Sequence, residues 1–268
     1  MTSLFRAWSR IRPLLEKNHL LICLDYDGTL SPIAPIPQQA TLPKKTRHLL
    51  RALAETPSVR LAIISGRALA DVKAMVGIPA IVYSGNHGFE VEGPGIRFRP
   101  RIPSSYRRLL ARLEKELKKQ LEGMKGVIVE NKRPVLAVHY RMSPSKNIPK
   151  IQKIFRKITG HSALKKYIRT IKGKMVLEVQ PPLDWNKGKI ILWLLAKHKS
   201  AAWDKNTLPV YVGDDITDED AFGALKNKGI TVFVGRPRTS SAQYCLSGTD
   251  EVQTFLKRIV SLKSSKKP

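Results

Sequence analysis

Leu21-Ile-Cys-Leu-Asp25-Tyr-Asp27-Gly-Thr-Leu30 decides how this chain is read. A short apolar run ends in two aspartates one residue apart, followed by Gly-Thr. A buried strand that releases carboxylates at its C-terminal tip puts them in the crevice where open α/β sheets bind ligands. Alternate strand residues point the same way, so Asp25 and Asp27 can address one ion or phosphate if the chain turns at Gly28. Neighbouring carboxylates repel unless a cation or shared proton relieves them, which points to a hard, oxygen-liganded cation such as Mg²⁺. The plainer alternative is an acidic strand-to-turn junction, because Asp-Gly is a common turn signal.

A second strand runs into acids in the same way. Pro209-Val-Tyr-Val212 leads into Gly213-Asp214-Asp215-Ile-Thr-Asp218-Glu219-Asp220. Glu219 and Asp220 suit a helix N-terminus, where acids complement the macrodipole. Asp214 and Asp215 sit at the strand tip and are less well explained that way. Leu61-Ala-Ile-Ile64 runs into Ser65-Gly66-Arg67, where a hydroxyl and backbone N–H groups can hold phosphate oxygens. Ser65 as a plain helix N-cap is the alternative. Asn186-Lys187-Gly188-Lys189 opens an apolar helix, Ile190 to Ala196. Lys187 can neutralise a phosphate and a carboxylate, although one lysine in so basic a chain says little by itself.

Alternating strands and helices to about residue 100 argue for a parallel sheet. The helices are expected at Leu42 to Glu55 and Leu69 to Val76, and further strands at Leu61 to Ile64 and Ala80 to Ser84. Gly93 to Pro103 reads as a linker. Beyond it, Tyr106, Leu109, Leu110, Leu113, Leu117 and Leu121 follow the helical period. Strands at Val127 to Glu130 and Val135 to Tyr140 come next. A helix at Ile148 to Ile158 precedes strands near Tyr167 to Ile171 and Met175 to Val179. This helix-strand-strand order, given twice, suits an antiparallel sheet with two helices on one face. The expected organisation is therefore an α/β chain with a Rossmann-like parallel-sheet core, residues 1–103 and 183–268, and a smaller inserted α+β domain, residues 104–182. Lys257 to Pro268 reads as a frayed, solvated tail.

These segments, in this order, resemble the haloacid dehalogenase superfamily of aspartate-nucleophile phosphatases. The resemblance is closer to one branch. Leu24-Asp-Tyr-Asp-Gly-Thr-Leu-Ser-Pro-Ile33, Ile64-Ser-Gly-Arg67, Gly85-Asn-His-Gly88, His139-Tyr-Arg141, Gly173-Lys-Met-Val-Leu-Glu178, Asn186-Lys-Gly188 and Tyr211 to Phe222 together are similar to the trehalose-6-phosphate phosphatase family. The likeness runs from about residue 20 to about residue 240. Asn86 departs from it, since the family more often has a small residue there, as does the basic composition.

The resemblance implies a mechanism. Asp25 would attack phosphorus and form an aspartyl-phosphate. Asp27 would protonate the departing sugar oxygen and later deprotonate water. Mg²⁺ would bind Asp25, the Asp27 backbone carbonyl and Asp214, supported by Asp215 or Asp218. Thr29, Ser65 and Lys187 would hold the phosphoryl oxygens. Gly66, Arg67 and His87 would touch substrate. In the inserted domain, Glu130, Lys132, Arg141, Lys174 and Glu178 would read sugar hydroxyls. Glu130 and Glu178 are rare acids there, beside Lys132 and Lys174, and an ordinary salt bridge within the domain is the alternative. Trehalose and phosphate would be the products; sucrose phosphate or a mannosyl compound are rival substrates.

Composition bounds the rest. The formal charge is +27, and residues 104–182 carry 20 Lys/Arg against 5 Asp/Glu. That excess could steer an anionic sugar phosphate, bind nucleic acid, or be a solvated lysine-rich surface. The sequence carries no nucleic-acid-binding motif, which makes nucleic acid an unlikely partner on this reading. Two cysteines give no disulfide framework, so a reducing cytoplasm is the default. No apolar run approaches the ~20 residues of a membrane span, and no signal-peptide core is present at the N-terminus. Leu4, Phe5, Trp8, Ile11 and Leu15 lie at helical spacing and read as a first helix packed on the core rather than a transit peptide or membrane-surface helix. A monomer is expected.

Overall fold

A computed structural model of the chain describes residues 1–197, 207–236 and 239–264. Its strands are β1 (Thr2–Ser3), β2 (His19–Leu24), β3 (Val59–Ile64), β4 (Val82–Gly85), β5 (Glu90–Gly93), β6 (Ile96–Phe98) and β7 (Ile128–Asn131), then β8 (Leu136–His139), β9 (Arg169–Gly173), β10 (Val176–Gln180), β11 (Thr207–Gly213), β12 (Ile230–Val234) and β13 (Tyr244–Leu246). The α-helices are α1 (Trp8–Lys17), α2 (Lys44–Ala54), α3 (Leu69–Val76), α4 (Ser104–Gln120), α5 (Ile148–Thr159), α6 (Lys187–Lys197), α7 (Glu219–Ala224) and α8 (Thr249–Ser264).

The chain forms two compact units, one of Met1–Ile33, Ala40–Phe98 and Trp185–Pro268, the other of Ala34–Gln39 and Arg99–Asp184. The first holds a nine-stranded sheet in the order β1-β13-β12-β11-β2-β3-β4-β5-β6. It is parallel from β1 to β4, and the two remaining pairings, β4 with β5 and β5 with β6, are antiparallel. Leu21 and Cys23 of β2 face a core built with Ile190, Ile191 and Leu194 of α6 and Phe222 of α7. The alternate residues Leu20, Ile22 and Leu24 are equally buried. Burial on both faces explains the unbroken apolar run of the central strands.

Topology places the carboxylates. Successive strands leave β2 in opposite directions, β3 to one side and β11 to the other. The carboxyl ends of β2 and β11 therefore flank the switch point of the sheet, where open α/β folds bind ligands.

The second unit is a four-stranded antiparallel sheet, β7-β8-β10-β9. Leu136, Val138, Leu177 and Val179 point from one face into a core shared with Tyr106, Leu110, Leu113 and Leu117 of α4 and Ile151 and Phe155 of α5. Strand alternation puts Glu130, Ala137, His139 and Glu178 on the other face, and Glu130, Ala137 and Glu178 lie in one cross-strand row.

Two expectations need correction. Gly93 to Pro103 is no simple linker: Gly93 closes β5, and Ile96–Phe98 forms the outer strand of a hairpin. Phe98 then stacks on Trp185 at 5.0 Å, so the aromatic residue gives the hairpin a packing partner that Gly/Pro counting misses. The tail does not fray from Lys257. Helix α8 runs to Ser264, with Ile259 buried and Lys263 Nζ donating to Asn18 O at 2.6 Å. Residues 265–268 lie outside the described residues. At the other end, Arg258 of α8 covers the rings of Phe5 and Trp8, and α1 buries Ile11 and Leu15. No helix among the described residues is long and apolar enough to cross a membrane.

Candidate active site

Four segments converge at the carboxyl ends of β2 and β11. Asp25 follows β2 directly, and its N–H donates to Val212 O of β11 at 2.9 Å, prolonging the sheet ladder by one step. Its carboxylate is buried. Lys187, the first residue of α6, donates from Nζ to Asp25 Oδ1 at 2.7 Å and to Asp218 Oδ1 at 2.7 Å. Asn186 caps that helix through Oδ1, which accepts the Lys189 N–H at 2.9 Å, so the cap fixes where Lys187 starts.

Asp218 is fully buried and held by three donors. Besides Lys187, the Tyr211 hydroxyl donates to Oδ1 at 2.6 Å and the Asp215 N–H donates to Oδ2 at 2.8 Å. Asp214, also buried, completes the group: Asp25, Asp214 and Asp218 offer ligand oxygens that all lie within 4.8 Å of one another. Asp215 does not join them. It forms a capping box with Asp218 around the short turn Ile216–Asp218, which is the helix-terminus use of an acid expected for Glu219 and Asp220.

Three buried acids gather about one ammonium. Burial raises the Asp25 carboxyl well above the usual carboxylate range, and Asp218 and Asp214 add to the rise against the opposing pull of Lys187. Burial alone would lower the Lys187 ammonium, but Asp218 and Asp25 hold it charged. Burial raises the Tyr211 phenol, and Asp218 and Asp25 raise it further, so it remains a donor. A hard divalent cation is the partner that relieves such an oxygen cluster. The backbone makes room for Asp214. Gly28 sits at φ +80°, and a Cβ there would collide with the Asp214 carboxylate. The residues present thus fit Mg²⁺ held by Asp25, Asp214 and Asp218.

The turns that follow β3 and β4 pack on one another. Ser65 is buried, and its Oγ accepts the Arg67 N–H at 3.2 Å. It caps no helix, since the residue before α3 is Ala68. Ser65 O accepts the His87 N–H at 2.9 Å and Arg67 O accepts the Asn86 N–H at 2.7 Å. Asn86 and His87 both take left-handed backbone, at φ 51° and 57°. Gly66 lets the His87 ring lie on it, where a Cβ would strike the imidazole. Trp185 donates from Nε1 to Gly88 O at 2.6 Å and pins the far end of that turn. Thr29 is buried, and its hydroxyl has no protein partner among the described residues.

Asp27 is not in the acidic cluster. Arg67 grips it in a fork, Nε to Oδ2 at 2.7 Å and Nη2 to Oδ1 at 2.6 Å. The same guanidinium covers the Tyr26 ring at 5.4 Å.

The other expected residues gather within the second unit. Their contacts reach beyond the sequence neighbours. Glu178 pairs with Lys132, Nζ to Oε1 at 2.9 Å, and accepts Gln180 Nε2 at 3.0 Å. Glu130 Oε2 lies 2.8 Å from His139 Nε2. Arg141 donates to Lys174 O at 2.9 Å. Sequence reasoning missed Tyr211, Trp185, His139 and Gln180 as supporting residues. His139 and Tyr211 stood inside quoted motifs, and the period-2 alternation of their strands was the available signal.

Comparison with known proteins follows the same lines. The Trehalose-phosphatase family matches residues 23–250. A trehalose-phosphate phosphatase of Mycobacterium tuberculosis is 35% identical over 243 residues, covering 89% of this chain and 60% of its own. The chain thus spans about 60% of the length of these mycobacterial relatives. A trehalose 6-phosphate phosphatase of Zea mays is 31% identical over 283 residues, covering 98% of this chain and 76% of its own. The solved C-terminal domain of the C. albicans trehalose-6-phosphate phosphatase superposes with a TM-score of 0.83 at 24% identity, covering 97% of this chain and 98% of that one.

Proposed function

The chain belongs to the trehalose-phosphatase family, and from that premise we propose that it hydrolyses trehalose 6-phosphate to trehalose and phosphate through an aspartyl-phosphate on Asp25, with Mg²⁺. The observation that carries the reading is the buried quartet at the sheet switch point. Asp25 lies against Lys187, and its ligand oxygen lies within 4.8 Å of those of Asp214 and Asp218.

A carboxylate oxygen of Asp25 attacks phosphorus as the bond to the sugar oxygen breaks. Lys187 opposes the burial that raises the Asp25 carboxyl, a bound cation would complete its ionisation, and the ammonium then stabilises the charge on the transferring phosphoryl group. Ser65 and Thr29 supply hydroxyl donors to its other oxygens. Asp27 gives its proton to the leaving sugar oxygen, then takes one from the water that attacks the aspartyl-phosphate and frees Asp25. That role requires Arg67 to release Asp27 first, because a carboxylate clamped by two N–H donors cannot carry a transferable proton. Bound Mg²⁺ would supply electrostatic neutralisation of the phosphoryl oxygens. Arg67, Gly66 and His87 border the phosphate turn. Glu130, Lys132, Arg141, Lys174 and Glu178 read the disaccharide hydroxyls. Cys23 and Cys245 are free and buried, which suits a reducing cytoplasm.

Phosphate release with Mg²⁺ across trehalose 6-phosphate, sucrose 6-phosphate, a mannosyl phosphate, glucose 6-phosphate and p-nitrophenyl phosphate tests the reading. Trehalose 6-phosphate should give the highest kcat/KM. A higher value for another sugar phosphate overturns the substrate, and release that is indifferent to chelation of Mg²⁺ overturns the metal.

A further inference from the structure

We propose that His139 is a positioning residue for substrate selection: it fixes Glu130 on the face of the second unit's sheet opposite α4 and α5, and so sets how well the enzyme tells its sugar phosphate from a plain phosphate ester. The proposal rests on the reading of Glu130 and Glu178 as sugar-contacting acids.

The sheet register arranges these groups. Glu130 of β7 and Glu178 of β10 lie on either side of Ala137 of β8, one strand away in each direction. Two strand spacings separate their backbones by roughly 10 Å, with only a methyl side chain in the row between them. Each acid is held by donors of its own sheet. Glu178 takes Lys132 at 2.9 Å and Gln180 at 3.0 Å. Glu130 takes His139 at 2.8 Å. His139 stands diagonally across from Glu130, in the row of Ile128 and Val176. A ring between two cross-strand apolar residues has its direction set by packing.

A glutamate on a strand has three side-chain torsions to lose when it grips a hydroxyl. Held in advance, it loses less on binding, which is the general source of affinity from preorganisation. A site built to hydrogen-bond hydroxyls also discriminates most sharply when its polar groups cannot rearrange to suit a poorer ligand. His139 is only partly exposed, at 17% of its side chain, against 27% for Glu130. Its contact is therefore neither a freely solvated surface pair nor a fully buried one, and a purely structural pair would contribute to folding alone.

The two roles differ in what they change. His139→Leu removes the ring N–H and keeps an apolar side chain on the strand. His139→Gln keeps an N–H at comparable reach. Both are assayed in the full chain on the sugar phosphate that the wild type hydrolyses best and on p-nitrophenyl phosphate, with thermal melting in parallel. His139→Leu should lower kcat/KM for the sugar phosphate about tenfold, mainly through KM, and leave p-nitrophenyl phosphate within about twofold. His139→Gln should stay within about threefold on both substrates. Glu130→Gln supplies the second arm: adding His139→Leu to it should cost little more on the sugar phosphate, because residues acting as a unit are non-additive. Equal losses on the two substrates, an unchanged sugar-phosphate rate, or fully additive losses in the double variant each overturn the proposal. If His139→Leu fails to fold, a His139→Gln variant with wild-type melting and a tenfold sugar-specific loss overturns it as well, and retention supports it. A wild-type preference for a sugar phosphate other than that of trehalose defeats the substrate reading but leaves the His139 comparison intact. A wild type that hydrolyses no sugar phosphate better than p-nitrophenyl phosphate defeats both.

Discussion

The Tyr211 hydroxyl donates to Asp218 Oδ1 at 2.6 Å, onto the oxygen that also accepts Lys187. Tyr211 is fully buried and meets Phe222 edge-on at 5.7 Å, so its ring is placed by the core and its oxygen by the site. Asp218 thereby stays still while it shares Lys187 with Asp25. Tyr211→Phe keeps the packing and deletes one donor to a charged acceptor, worth roughly 1.5–3 kcal/mol. The expected result is a kcat lowered about threefold to tenfold with KM little changed. An unchanged kcat in steady-state assays would show that the hydroxyl does not help hold the quartet.

Asp25→Asn removes the attacking carboxylate while keeping nearly the same shape. Turnover should drop by at least about a thousandfold, and melting should not fall, because a buried acid crowded by Asp214 and Asp218 is replaced by a neutral amide. Single-turnover assays with mass spectrometry should find phosphate on the wild-type chain and none on the variant. A variant that still releases phosphate at a near-normal rate rules out covalent catalysis by Asp25.

How much of this was legible beforehand follows from range. The acids at the tips of β2 and β11 could be read because each follows an apolar run directly, and a parallel sheet brings such tips together. Lys187 could be placed only by resemblance, since its partners stand 162 and 31 residues away. The Lys132–Glu178 pair spans 46 residues. Sequence proximity set Lys132 beside Glu130, and the contact of Glu130 with His139 across the antiparallel β7–β8 pair carried no local sign. The Arg67 grip on Asp27 spans 40 residues and carries no local sign. Asp215 illustrates the converse case. Beside Asp214 it reads as a metal ligand, but alternation along an extended backbone turns neighbouring side chains apart, and its carboxylate is used in the capping box.

Gly28 is where the backbone meets the acidic cluster. Its left-handed φ of +80° would cost an alanine roughly 1–2 kcal/mol, and the new Cβ would press on the Asp214 carboxylate. Gly28→Ala should therefore weaken Mg²⁺ binding and lower kcat/KM about a hundredfold, since an ångström of misplacement is enough for that. Isothermal titration of the metal-free protein reads the first effect. Wild-type Mg²⁺ affinity in the variant would dissociate Asp214 from the cation.

The raised Asp25 carboxyl gives metal binding a pH signature. A carboxyl whose folded value exceeds its unfolded one holds its proton longer in the folded state, so its contribution to stability falls as pH climbs from the ordinary carboxylate range through the folded value. If Asp25 holds Mg²⁺ as proposed, the cation would bind the ionised form and offset that loss. At about a hundred times its dissociation constant a cation adds roughly 2.7 kcal/mol, or about 5–10 °C in melting for a chain of this size. The Mg²⁺-induced rise should thus be larger at pH 7.5 than at pH 5 by differential scanning fluorimetry. An equal rise at both values would detach cation binding from Asp25 ionisation.

The basic excess of residues 104–182, 20 Lys/Arg against 5 Asp/Glu, should act on encounter rather than on chemistry. Few of these charges are matched by acids of their own unit, whose Glu130 and Glu178 are already engaged. Long-range attraction of a dianionic substrate is screened over a Debye length of about 8 Å at physiological salt. Raising ionic strength with NaCl should then lower kcat/KM for the sugar phosphate while kcat holds steady. The effect should be weaker for a singly charged phosphodiester used as a competitive ligand. Polyanions give the decisive contrast, because nucleic acid binding also weakens with salt. Duplex DNA added at physiological salt should leave hydrolysis untouched if the charge serves the small substrate. Tight, saturable inhibition by DNA under those conditions would assign the basic surface to a polyanionic partner instead.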